Sequence, residues 1–280
     1  ESPVLIKNYL PTMNRSEIFL VMVSGMGTIA GSVMGTYIGM LGGTDPAAKV
    51  LFATHLLSAS VMAVPGSIVL AKMLCPQTEE ATDHVAISGK EKENSNILDA
   101  ISSGTVTGVK LMTNIAAMLL VFISLVALAN YITEGVIGRY TGLNDWIVKI
   151  TDGKAQGLTF QFILGVITSP FMWLIGVPSQ DIMLVGSLLG QKTILNEFVA
   201  YFQLQQWKDA GLFMYEKSIL MSTYILCGFA NISSIGILLG GLGVLAPEKR
   251  GLISRIGVPA MIGGALVSVL SATIIGMILG

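Results

Sequence analysis

No charged residue occurs between Glu17 and Asp45, and the stretch between them is apolar almost throughout. A membrane-crossing helix needs about 20 such residues, so this run limits the fold more than any other feature. Further apolar runs follow at 49–74, 111–132, 217–246 and 257–280. Only 12% of the 280 residues are charged, against roughly 25% in soluble domains. The pattern predicts an all-α polytopic membrane protein surrounded by a lipid bilayer. A net charge of −1 without a basic stripe argues against nucleic acid as a partner. Cys75 and Cys227 form no CxxC, and His55 and His84 are too sparse for a zinc or haem site, so no cofactor is expected.

The chain begins at Glu1 without a methionine and reads as a piece of a longer protein. Residues 2–12 are apolar but too short to span, which suits one limb of a re-entrant hairpin or an interfacial helix. Together with two membrane helices they make a first region, 1–75. In it, Gly27, Gly31, Gly35 and Gly39 fall on one helix face and predict close helix packing. Gly25 to Thr28 is also a place where the helix could unwind and offer carbonyls to an ion. His55 reads as an interior hydrogen-bonding residue or a proton carrier, and Pro65 predicts a kink. Residues 76–110 read as a polar cytoplasmic loop with an amphipathic lead-in. The segment 111–132 reads as a scaffold helix for oligomer contact, and 133–157 as an outer loop in which Trp146 anchors at the interface.

From Leu158 the apolar pieces become short, and 158–280 reads as a second re-entrant hairpin plus two membrane helices. Broken pieces of this kind build transporter sites at the bilayer midplane. Within them, Asn196 and Glu197 follow a lysine, Lys192. An ionised carboxylate at membrane depth is costly unless paired or facing water, so Glu197 either handles a polar solute or lies in a solvated loop. Farther on, Cys227 to Ser234 places an amide and two hydroxyls beside a glycine within a span. Such groups serve as interhelical glue or as ligand contacts at a break.

The two halves echo one another. In each, a glutamate (Glu1, Glu197) opens a short apolar limb, a polar hinge follows, and a long helix carries a small-residue break. That repetition predicts an inverted-repeat transporter with re-entrant helical hairpins and unwound transmembrane helices. Placing 158–206 as a re-entrant hairpin also puts Lys249, Arg250 and Arg255 on the cytoplasmic side with Lys7 and Arg15, as positive-inside bias prefers.

Several motifs are specific. NEFVAY at 196–201, CGFANISSIGI at 227–237 and GGLGVLAPEKR at 240–250 occur in order, joined by ESP at the start, RSEIF at 15–19 and GTIAGSV at 27–33. Together they resemble the concentrative nucleoside transporter family over nearly the whole chain. The resemblance implies Na+- or H+-coupled nucleoside uptake at the cell (plasma or inner) membrane by a homotrimer with an elevator-like alternating-access cycle. It implies that Glu197, Asn231 and Ser234 contact ribose, with Phe229 beside the sugar or base. It further implies that Glu1 and Val33 face the base, and that Thr28 and Ile29 contribute to a sodium site. The family's glutamine and threonine before the first glutamate are absent, so this chain holds only part of the base and cation sites. Two other readings are a transporter of another polar solute, such as a nucleobase, and a membrane-embedded enzyme using Glu1 and Glu197. No serine–histidine, metal-ligand or phosphate-cradling pattern supports an enzyme.

Overall fold

The computed structural model describes residues 9–79, 96–151, 153 and 155–280. Glu1 and the limb beside it therefore lie outside the described residues as far as Asn8. Among the described residues the structure is helical, with no strand. In chain order the helices are α1 (Arg15–Gly27), α2 (Gly31–Gly42), α3 (Pro46–Leu74) and α4 (Ile97–Asn130), followed by a π-helical stretch, Tyr131–Gly138, and a turn, Arg139–Thr141. Then come α5 (Leu143–Ile150), α6 (Phe160–Leu174), α7 (Ile182–Ile194), α8 (Glu197–Asp209), α9 (Glu216–Leu226), α10 (Ile232–Leu245), a 3₁₀ turn (Pro247–Lys249) and α11 (Arg250–Ile278).

Asparagine and aspartate start many of these helices. Asn14 forms a reciprocal capping box with Glu17, while Asp45, Asn96, Asn196 and Asn231 each accept a hydrogen bond from a first-turn amide. Such caps satisfy donors that a helix end otherwise leaves orphaned. Among the described residues three stretches, Arg15–Gly42, Pro46–Leu74 and Pro247–Ile278, are long and apolar enough to cross a membrane. Helix α3 continues through Pro65 to Leu74.

The chain divides into two compact units, 1–85 with 161–280, and 86–160. In the first, α11 packs against α1, α3, α9 and α10. Its glycines explain the closeness. A Cβ on Gly264 would lie 2.7 Å from Met26 Cβ, one on Gly263 2.8 Å from Val23 Cγ2, and one on Gly257 2.7 Å from Ile235 Cγ2. Here the sequence reading needs correction. The close-packing glycines were expected at Gly31, Gly35 and Gly39, yet no described atom lies within 4 Å of a Cβ at any of them. Only Gly27 of that strip is packed, against Val267 at 3.2 Å. A second close seam joins α6 to α7, where a Cβ on Gly165 would meet the Met183 carbonyl oxygen at 2.8 Å and one on Gly190 would meet Leu164 Cβ at 2.6 Å.

In the second unit α4 has 34 residues and begins at Ile97, so the amphipathic lead-in belongs to the same helix as the apolar run. Asn144 organises the turns that follow. Its Nδ2 donates to the Glu134 carbonyl at 3.0 Å, and its Oδ1 accepts from the Leu158 amide at 3.0 Å. Trp146 is exposed. An open cavity of about 390 Å³ lies beside the π-helical stretch, lined by Asn130, Glu134, Arg139 and Asn144 among others.

Candidate functional site

Three interruptions in helices of the first unit make the site. The first separates α1 from α2: Gly27 is still helical, Thr28 is extended at φ −112°, ψ 168°, and Ala30 is extended at φ −68°, ψ 139°. The Thr28 hydroxyl turns back to the Ser24 carbonyl at 2.9 Å, and Ile29 is buried in the core. The second separates α9 from α10 between Cys227 and Asn231. Gly228 sits there at φ 150°, with the Met26 and Gly27 carbonyl oxygens each 3.0 Å from where its Cβ would stand. The two breaks therefore touch back to back, and only a glycine leaves room for the contact.

The third interruption is the tip of the α7–α8 hairpin, at Leu195 and Asn196. Each arm has 13 residues, or about 20 Å at about 1.5 Å per residue. That is shorter than the roughly 30 Å hydrocarbon core. Asn196 caps α8 by accepting from the Val199 amide at 2.9 Å, which makes Glu197 the first residue of the helix.

Glu197 is buried, with both carboxylate oxygens engaged. Oε1 accepts from the Tyr37 hydroxyl at 3.3 Å, and Oε2 accepts from Asn231 Nδ2 at 3.1 Å. The Asn231 amide can face only one way. Its Oδ1 must accept from the Ser234 amide at 2.9 Å and the Ser233 hydroxyl at 2.6 Å, which leaves Nδ2 for the carboxylate. The Ser234 hydroxyl lies against both Asn231 Oδ1 and the Phe229 carbonyl and gives its single proton to one of them. Because Asn231 caps α10 and Glu197 opens α8, two half-helix N-termini converge on one acid. Their partial positive charge favours an anionic group there.

The structure thus brings Glu197, Asn231, Ser234 and Phe229 into one bonded cluster. Val33 packs at the edge of the core that holds Tyr37, Ile29 and Cys227. Thr28 and Ile29 lie at the first break, beside the second through the Gly228 contact. Glu1 lies outside the described residues.

Four residues have partners here that the sequence did not pair, Lys192 among them although it stands out in the chain. Tyr37 reaches Glu197 from α2 and stacks on Tyr201 of α8 at 4.1 Å between centroids. Tyr201, four positions after Glu197 on the same helix face, donates to the Thr223 carbonyl at 2.8 Å. Lys192 is wholly buried. Asp181, also buried, accepts from the Met214 and Tyr215 amides at 3.0 and 3.1 Å and so ties the start of α7 to the start of α9. A tyrosine hydroxyl in an otherwise uncharged helix was the available signal, since such groups find partners when buried. His55 takes the interior alternative, with Nδ1 3.2 Å from the Tyr224 hydroxyl.

Convergent half-helices, a re-entrant hairpin and a buried acid at their junction define a class of helical membrane fold with broken helices. The comparisons agree. The family profile described as the C-terminus of Na+ dependent nucleoside transporters matches residues 55–276, and the chain belongs to that family. It is 37% identical to the nucleoside permease NupC of Helicobacter pylori, over 100% of this chain and 62% of that protein. It is 38% identical to the sodium/nucleoside cotransporter 1 of Rattus norvegicus, over 99% of this chain and 42% of that protein. A structure of CNTnw in an inward-facing substrate-bound state superposes with a TM-score of 0.81 at 34% identity, covering 100% of this chain and 61% of that one. The chain thus spans roughly four- to six-tenths of the length of these proteins.

Proposed function

We propose that this chain forms the C-terminal transport portion of a cation-coupled nucleoside importer of the cell membrane. The observation that carries the reading is Glu197, an acid buried at a hairpin tip where two half-helix N-termini meet. A ribose offers hydroxyl donors that suit a carboxylate acceptor, and an uncharged solute needs no arginine clamp. On this reading Glu197 accepts from the ribose hydroxyls. Asn231 and Ser234 reach the sugar by exchanging the hydrogen bonds they now make, and Phe229 flanks it. Val33, with Glu1, faces the base. Thr28 and Ile29 offer the hydroxyl and carbonyls of the first break to a sodium ion. The hairpin and broken helices travel as the moving part of an elevator-like cycle, and α4 serves as the fixed scaffold of a homotrimer. The names of the relatives support the substrate and the cation; the cluster supports the assignment of residues.

The test is equilibrium binding of a nucleoside and its 2′,3′-dideoxy analogue to wild type and Glu197→Gln. Hydrogen bonds to a charged acceptor contribute about 1.5–3 kcal/mol, so the nucleoside should lose roughly 10- to 150-fold in affinity. The analogue should lose far less. Equal losses for both ligands would remove Glu197 from the ribose site, and competition by free bases as strong as by ribosides would favour a nucleobase carrier.

A further inference from the structure

Lys192 is the one wholly buried lysine among the described residues, and the binding cluster does not use it directly. Its Nζ donates to the Ile225 carbonyl at 2.8 Å and to Ser268 Oγ at 2.9 Å. Ser268 in turn donates to the Cys227 carbonyl at 3.0 Å. Ile225 belongs to the last turn of α9, and Cys227 is the first residue of the break. Carbonyls there lose their intrahelical partners and carry the negative end of the helix dipole.

Four carbonyls around the end of α9 are held by named donors. Thr223 is held by Tyr201, Tyr224 by the Cys227 amide, Ile225 by Lys192, and Cys227 by Ser268. Tyr201 and Lys192 both come from the α7–α8 hairpin, one from each arm. An ammonium held by one carbonyl and one hydroxyl oxygen, at 2.8 and 2.9 Å, occupies the place a coordinated cation would take at an unwound helix end. The acid sits at converging N-termini and the base at an opposing C-terminus, so each charge is matched by backbone.

The geometry points to Lys192 as a tethered resident cation of the second break. It is a positioning residue that locks the hairpin to the end of α9 and thereby fixes the break that presents Asn231 to Glu197. The inference concerns the same site and rests on the transport reading for its binding readout, though not for its stability readout.

Chemical rescue tests it in the full-length transporter. Lys192→Ala should melt below wild type and bind nucleoside more weakly. Methylammonium, which supplies a charge and N–H donors, should restore at least half of the lost melting temperature and return affinity toward wild type. Tetramethylammonium has the same charge without donors and should do neither. Lys192→Met fills the space without charge, so it should bind about tenfold more weakly and respond to neither amine. The proposal is overturned if Lys192→Met melts and binds like wild type, or if Lys192→Ala responds to both amines alike or to neither. Where Lys192→Ala cannot be purified, Lys192→Met decides. A wild-type protein that binds no nucleoside would sink the transport reading alone, because amine-dependent melting involves no nucleoside.

Discussion

At Tyr37 a single hydroxyl separates positioning from packing. Tyr37→Phe keeps the ring stacked on Tyr201 at 4.1 Å but removes the donor to Glu197 Oε1. Melting should therefore change little, while nucleoside affinity should fall about tenfold, or about 1.4 kcal/mol, as measured by titration calorimetry. Unchanged affinity would show that the hydroxyl does not orient the acid. Gly228 behaves differently. With φ at 150° and two carbonyl oxygens 3.0 Å from its missing Cβ, it admits no side chain without strain and displacement. Gly228→Ala should cost at least about 1–3 kcal/mol, from backbone strain alone. The loss would appear as a lower melting temperature, and a variant as stable as wild type would show that the breaks can separate freely.

Among the elements, the α6–α7 seam makes a sharp prediction. Gly165→Val would drive a side chain into the Met183 backbone, which cannot swing aside as a flexible side chain could. A loss of about 1–3 kcal/mol is expected, whereas Val166→Leu on the exposed face should be neutral; thermal unfolding of the pair checks this. Interruptions were the most legible part of the fold. Polar clusters such as Asn196–Glu197 and Cys227 to Ser234 are costly within apolar runs, and at both of them the helix ends. The first break falls at Thr28, the last residue of the expected 25–28, with Gly27 still helical. Glycine spacing misled because periodic small residues show that a helix can be approached closely, not which face is approached. Gly257, Gly263 and Gly264 of α11, rather than Gly31, Gly35 and Gly39 of α2, received neighbours. Tyr37 could not be paired from the sequence because its partner lies 160 residues away.

For the whole molecule, the scaffold role proposed for α4 is testable by cross-linking. Cysteines at exposed Leu120, Val121 or Leu125 that join copies should leave uptake intact, and blocked uptake in an assembled oligomer would count against a fixed helix. The buried charges of the hairpin bear on a different property, the response to membrane voltage. Lys192 and Glu197 lie on the same α7–α8 element, so an ammonium and a carboxylate there sum to zero. A lone charge carried across the bilayer would exchange about 2.3 kcal/mol with every 100 mV of potential. A neutral pair exchanges none, so on the proposed elevator-like cycle the potential neither drives nor opposes return of the empty hairpin through these two groups. Current recorded during a cycle then reports the travelling cation, and Glu197→Gln, by unbalancing the pair, should make the empty return step voltage-sensitive in electrophysiological recordings.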